Sequence, residues 1–312
     1  MINKQEYYLP STNGVNKLHV VKWEPVGEVT AILQISHGMV EFINRYDRFA
    51  NYLAERGILV IGNDHLGHGF TAANDDELGF FPAEDGSKTV VSDLYQITKH
   101  AKGEHPGVPY YLLGHSMGSF MARRYLMTYG KELDGAIIMG TGNQPKAVIA
   151  AGKMVAGLIS VFKGKRHRSK LMNTLSFGAY NKQFKPVRTS YDWLTKDETI
   201  VDAYAANKYC TYLFTLNGYQ TLFNTFSFIM NKKNIQSIPK ELPLFFVAGA
   251  KDPVGVNGKE VRKIYEQYKK MGIRDCKIKL YDNCRHEILN ELEYETVYED
   301  LYKWIIDKIA TK

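Results

Sequence analysis

Cysteine is scarce in this chain. Cys210, Cys276 and Cys284 are the only three in 312 residues; the number is odd and no Cys-x-x-Cys or Cys/His ligand spacing occurs, so neither a disulfide framework nor a zinc site is suggested. Long apolar runs are missing too. No stretch reaches the roughly 18 residues that a membrane-spanning helix needs, and Met1 to Pro10 is polar and aromatic where a secretory leader would be basic and then apolar. A soluble protein of the reducing cytoplasm is the expectation. The net charge of +7 is not matched by a nucleic-acid module: basic residues are dense only in Lys163-Gly164-Lys165-Arg166-His167-Arg168-Ser169-Lys170, with no stacking aromatics among them. Nucleic acid is therefore not an expected partner, and a solvated loop is the default reading of that run.

What is present is an ordinary globular composition, 45% hydrophobic and 23% charged, with 21 tyrosines and 15 phenylalanines. Such an aromatic surplus fills cores or lines apolar pockets. The first 28 residues read as a β-hairpin, Glu6 to Leu9 and Leu18 to Trp23 turning at Asn13-Gly14. Buried strands are expected at Val29 to Ser36, Ile58 to Gly62, Val108 to Leu113, Gly135 to Met139, Leu242 to Ala248 and Lys277 to Tyr281. Helices are expected at 45–56, at 87–102, after the strand at 108–113, and at 291–309, where Val297, Leu301, Trp304, Ile305 and Ile309 share one face. Strands alternating with helices through short loops predict an α/β fold, a mostly parallel sheet with helices on both faces. The alternation stops between 143 and 237, where apolar and aromatic helical stretches follow one another, and then restarts. This predicts a core of residues 1–142 and 238–312 interrupted by a helical insertion over 143–237.

The chemistry centres on Gly114-His115-Ser116-Met117-Gly118, placed between a strand and a helix. In that setting a Gly-x-Ser-x-Gly pentapeptide forms a nucleophile elbow, a strained turn that holds the serine out at the sheet edge. A serine hydroxyl needs a histidine to take its proton and a carboxylate to orient that histidine. His286, after the last core strand, is best placed; His37, His65, His68 and His115 are its rivals. Asp252 follows the strand at 242–248 and precedes Pro253, with Asp275 and Asp282 as alternatives. Two N–H donors are needed for the oxyanion, one from the residue after the nucleophile and one from an earlier strand-end loop, which points to Met117 and Met39.

Taken together, His37-Gly38-Met39-Val40-Glu41 with Arg45-Tyr46, Asp64-His65-Leu66-Gly67-His68-Gly69, Gly114 to Ser119, Gly249-Ala250-Lys251-Asp252-Pro253-Val254 and Arg285-His286-Glu287 resemble the monoacylglycerol lipase and lysophospholipase branch of the α/β-hydrolases, often labelled serine aminopeptidase-like. The resemblance implies an α/β-hydrolase fold whose insertion is a cap or lid, Ser116, Asp252 and His286 as the catalytic triad, Met39 and Met117 as the oxyanion hole, and no cofactor or metal. It implies hydrolysis of carboxylic esters, with a monoacylglycerol, lysophospholipid or similar single-chain lipid ester as substrate. His65 departs from the family pattern, which has arginine there. Aminopeptidase activity would require acidic cap residues such as Asp192, Asp197, Glu198 or Asp202 to bind an ammonium group; hydrolysis of acylated small molecules and a catalytically silent binding protein are the other readings. Val148 to Phe162 beside the basic run suggests peripheral membrane contact through the cap.

Overall fold

The computed structural model describes residues 2–82 and 84–311. Its opening hairpin pairs β1 (Ile2–Pro10) with β2 (Lys17–Pro25), antiparallel along their whole length with Leu9 opposite Leu18. Six further strands follow: β3 (Ala31–Ser36), β4 (Ile58–Asn63), β5 (Tyr110–His115), β6 (Gly135–Met139), β7 (Leu244–Gly249) and β8 (Cys276–Tyr281). They join the hairpin in one sheet of order β1-β2-β4-β3-β5-β6-β7-β8, in which β3 to β8 run parallel. Every residue of β3 to β7 is buried, as continuous apolar runs with helices on both sides require.

Alternating side chains divide each strand between two cores. Tyr110 and Leu112 of β5 face a core built with α2 (Gly86–Glu104), α3 (Met117–Tyr129) and α9 (Lys259–Lys270), whereas Tyr111 and Leu113 face one built with α1 (Asp47–Ala54) and α10 (Tyr294–Ala310). At about 1.5–3 kcal/mol for each large apolar side chain removed from water, these two layers are the main stabilising term. The C-terminal helix buries Val297, Leu301, Trp304 and Ile305 of the stripe its spacing predicts, while Ile309 at its end is half-buried. The helix expected from Arg45 is shorter, because Ile43–Tyr46 forms a 3₁₀ turn before α1 and the Ile43 amide is held by the Asp64 carboxylate at 2.7 Å. Helix α9 was not legible, since it buries only Val261, Ile264 and Tyr268 among nine other residues that are mostly charged.

Between β6 and β7 lie five helices, α4 (Lys146–Lys163), α5 (Lys170–Phe177), α6 (Glu198–Ala206), α7 (Leu216–Ile229) and α8 (Lys232–Gln236), with a single isolated bridge, Arg168 to Thr215, among the described residues. Helix α7 packs on α2 and α3 of the core, and α4 packs on α7. The interior position of Gly152 in α4 has a steric reason: a Cβ there would run into the Phe223 ring of α7.

Candidate active site

Ser116 is the single residue between β5 and α3, with φ 52° and ψ −120°. This strained conformation is over-determined by its surroundings. The Ser116 amide donates to Met139 O of the neighbouring strand at 3.0 Å, and its carbonyl accepts from Ser119 N at 2.9 Å and Ser119 Oγ at 2.6 Å. The flanking glycines are steric necessities: a Cβ at Gly114 would overlap the Gly118 carbonyl, and one at Gly118 would overlap the carbonyls of Ser36 and His37. Strand β3 and helix α3 thus approach closely enough to set the loop after β3 beside the serine, with the Cβ position of Gly38 only 3.2 Å from Ser116 Cβ.

Asp252 and His286 meet although 34 positions separate them. Gly249 lets the loop after β7 lie directly on the carbonyls of Cys284 and Arg285, and Lys251 N donates to Cys284 O at 3.0 Å. Asp252 Oδ1 sits 2.9 Å from His286 Nδ1, with the ring N–H angled away from the line between them, and accepts from Val254 N at 2.9 Å. Both side chains are essentially buried. The alternatives lie elsewhere: Asp275 is at the other end of β8, paired with Lys308 at 2.6 Å, and Asp282 is exposed. The His286 ring is sandwiched between Trp193 and His115, at centroid distances of 5.0 and 4.8 Å.

The rival histidines have other employment. His37 Nε2 accepts from the His65 amide at 2.9 Å, which places the proton on Nδ1, 2.8 Å from Gly38 O. His65, standing where arginine is expected, stacks on His37 at 4.1 Å and puts Nε2 3.1 Å from Ser36 Oγ. His68 Nδ1 lies 3.0 Å from Leu66 O. Burial pushes all three imidazoles down, His68 to about 3, with the neighbouring rings adding to the effect on each of them. They are neutral packing elements beneath the loop that carries Met39.

A charged cluster not assigned from sequence joins these loops. Glu41 Oε1 accepts from Gly38 N at 2.5 Å and Tyr46 OH at 3.0 Å and lies 3.2 Å from His115 Nδ1. Its Oε2 accepts from Arg45 at 2.8 Å, and Arg45 also grips Glu287 through two 2.7 Å bonds. The Glu41–Arg45 spacing of four was visible in the sequence; the link to Glu287 across 242 positions was not.

Ser116, His286, Met39 and Met117 all border one cavity of 690 Å³. Its apolar wall includes Val155, Met172, Phe223 and Phe226, and near His286 it is lined by Tyr180, Tyr191, Trp193 and Tyr204. Asp192, Asp197, Glu198 and Asp202 do not border it. Asp192 holds the Arg188 and Thr189 amides, Asp197 caps α6, and Asp202 pairs with Arg188. The carboxylates that do reach the cavity, Glu41 and Glu287, are both bound by Arg45. Cys284 is buried, with its thiol pushed up to about 12 by burial and by Glu291 and Glu293. Among the described residues no group of three or more His, Cys, Asp or Glu side chains is arranged to hold a metal, and no helix is long and apolar enough to cross a membrane.

Known proteins share this arrangement of the chain. The family described as serine aminopeptidase, S33 matches residues 27–293. The monoglyceride lipase of Homo sapiens is 25% identical over 299 residues, covering 93% of this chain and 86% of the lipase. The monoacylglycerol lipase of Mycolicibacterium smegmatis is 25% identical over 315 residues, 98% of each chain. A thermostable carboxyl esterase from Bacillus coagulans, solved in complex with glycerol, superposes with a TM-score of 0.90 at 26% identity over 99% of this chain and 100% of the esterase. The chain belongs to the serine aminopeptidase S33 family of α/β-hydrolases and is a carboxylic ester hydrolase.

Proposed function

We propose that Ser116, His286 and Asp252 are the catalytic triad, that the backbone N–H groups of Met39 and Met117 form the oxyanion hole, and that residues 143–237 act as a cap selecting single-chain lipid esters such as monoacylglycerols or lysophospholipids. The observation carrying this reading is that the strained elbow serine and His286, backed by buried Asp252, border the same largely apolar 690 Å³ cavity. On substrate binding, His286 takes the proton as Ser116 Oγ attacks the ester carbonyl, while Asp252 keeps the imidazole oriented. The two amides hold the oxyanion. His286 returns its proton to the departing alcohol and then takes one from the water that cleaves the acyl-enzyme, releasing the fatty acid and regenerating the serine.

The test is covalent labelling by a fluorophosphonate probe together with turnover of monoacylglycerols, lysophospholipids and short acyl esters. Labelling and turnover are expected in the wild type, to vanish in Ser116→Ala and to weaken strongly in His286→Ala. A wild type that stays unlabelled refutes the triad; one that cleaves short esters but no single-chain lipid refutes the substrate class alone.

The cap also supports peripheral contact with a lipid surface. Val148, Met154, Leu158 and Phe162 form an exposed apolar stripe along α4, Phe162 being 86% exposed, and Leu171 and Leu175 continue it on α5. Val148 and Leu175 also line the cavity, so the stripe meets the mouth through which a lipid would enter. Within the basic run, Arg168 bonds the carbonyls of Asp75, Asp76, Leu78 and Leu213, and Arg166 bonds Asp76 O and covers the Phe80 ring; Lys163, Lys165, Arg166 and Lys170 are exposed. Cosedimentation with anionic vesicles, weakened by salt and by Phe162→Asp, is expected; equal sedimentation of wild type and Phe162→Asp refutes the contact.

A further inference from the structure

Two segments that bear the proposed chemistry converge on one guanidinium. Glu41 holds the Gly38 amide, one residue before Met39; Glu287 is the residue after His286; and Arg45 binds both carboxylates at 2.7–2.8 Å. Tyr204 of α6 lies over Arg45 at 4.8 Å and donates to Val40 O at 2.8 Å, closing the group from the side of the inserted helices. Val40 itself is held at φ 56°, a conformation that a β-branched residue keeps only when its surroundings enforce it.

We infer that Arg45 is a positioning residue: through Glu41 and Glu287 it fixes the loop carrying the Met39 amide relative to the loop carrying His286. The inference rests on the oxyanion and triad assignments proposed above. An ion pair serving stability alone gains nothing from attachment to these two loops, and burial makes it a poor source of stability, because the desolvation of its three charges offsets their attraction. Geometric precision is what a bidentate guanidinium–carboxylate fork supplies. Burial pushes the Glu41 carboxyl up, but the His115 bond and the Arg45 charge more than offset it; Glu287 is likewise held below the usual carboxylate range by Arg45 against its burial. Both carboxylates of the clamp are therefore held toward their charged form. Its contribution to rate arises because the oxyanion donor must sit within hydrogen-bond reach of an atom whose position Ser116 and His286 set, and a loosened loop forfeits alignment without forfeiting the cavity that binds substrate.

Glu287→Gln and Arg45→Lys test this with p-nitrophenyl butyrate turnover, the rate of fluorophosphonate labelling and thermal melting. Glutamine keeps the size of Glu287 and one acceptor while Arg45 remains paired with Glu41, so this variant is expected to fold. Its kcat is expected to fall by about tenfold or more with KM changed by less than about threefold, and labelling to slow in proportion. Arg45→Lys is expected to move kcat in the same direction, because an ammonium cannot span both carboxylates as a fork; if it does not fold, Glu287→Gln decides alone. Wild-type kcat and labelling rate in folded Glu287→Gln, or an effect confined to melting temperature, overturns the clamp. A wild type that neither labels nor hydrolyses overturns the triad instead, which keeps the two failures distinct.

Discussion

His68 gives the pH dependence of stability a quantitative test. Its ring is fully buried against Phe81, Tyr212 and Phe214 and close to His37, and burial, with the neighbouring His37 ring adding to it, lowers it from 6.5 to about 3. A base whose folded value is depressed is neutral in the native chain while the unfolded chain takes up a proton below pH 6.5, so stability falls as pH falls. Between pH 7 and 5 the unfolded state gains about 0.7 proton at this site and the folded state almost none, which integrates to about 2 kcal/mol, with a limiting slope of about 1.4 kcal/mol per pH unit. His68→Asn removes the titration. Its offset in stability from lost packing is the same at both pH values, and titrating groups remote from His68 cancel in the difference, burial remaining the first cause that holds the adjacent His65 down. Urea unfolding of wild type and variant, followed by circular dichroism at pH 7 and 5, is expected to show the wild type losing about 2 kcal/mol relative to the variant. A difference that is constant with pH, to within about 0.5 kcal/mol, would refute the claim that His68 is kept neutral by burial.

Three further outcomes follow from the packing. Gly118→Ala drives a Cβ into the carbonyls of Ser36 and His37 and is expected to abolish labelling of Ser116 and to cost about 1–3 kcal/mol in thermal unfolding; a stable, fully labelled variant contradicts the steric account of the elbow. Gly152→Ala pushes against the Phe223 ring, which lines the cavity, so the preferred acyl length in a p-nitrophenyl ester series is expected to shorten, and an unchanged optimum speaks against that wall as the acyl site. Iodoacetamide at pH 7 is expected to leave activity intact, because the Cys284 thiol is buried and pushed up to about 12; rapid inactivation that Cys284→Ser prevents counts against this.

Legibility in the sequence followed the range of the interaction that carries each feature. The pentapeptide at 114–118 and the apolar runs of the sheet are local signals, and the strands and the elbow lie where those signals put them. Asp252 and His286 could be placed because each falls at the carboxyl end of a core strand, and in an α/β sheet those ends gather at one edge; the 2.9 Å contact is a consequence of that topology. Helix α9 was missed because its mostly charged sequence gives only a narrow apolar stripe. The bonds of Arg45 to Glu287 and of Tyr204 to Val40 O were illegible for a different reason, since no periodicity records a contact across 242 or 164 positions. The basic run is exposed at Lys163, Lys165, Arg166 and Lys170, as its solvated reading expects, but nothing local reveals that Arg166 and Arg168 close over backbone carbonyls of residues 75–78.

The inserted helices are not uniformly coupled to the chemistry. From Tyr180 to Tyr204 the segment is bonded into the site: Trp193 O and Leu194 O accept from the amides of His286 and Glu287 at 3.4 and 2.7 Å, Gln183 donates to Lys251 O beside Asp252, and Tyr204 covers Arg45. Helix α4 instead reaches the core mainly through α7, and α4 and α5 carry the exposed apolar side chains. A change in the first part disturbs the orientation of His286 and is read in kcat, whereas a change in α4 or α5 alters the wall and the approach of substrate and is read in KM and chain-length preference. On the proposed assignment of His286 as base, divergence in substrate choice would be free to occur in one half of the insertion, while the other half is held by the same bonds that hold His286.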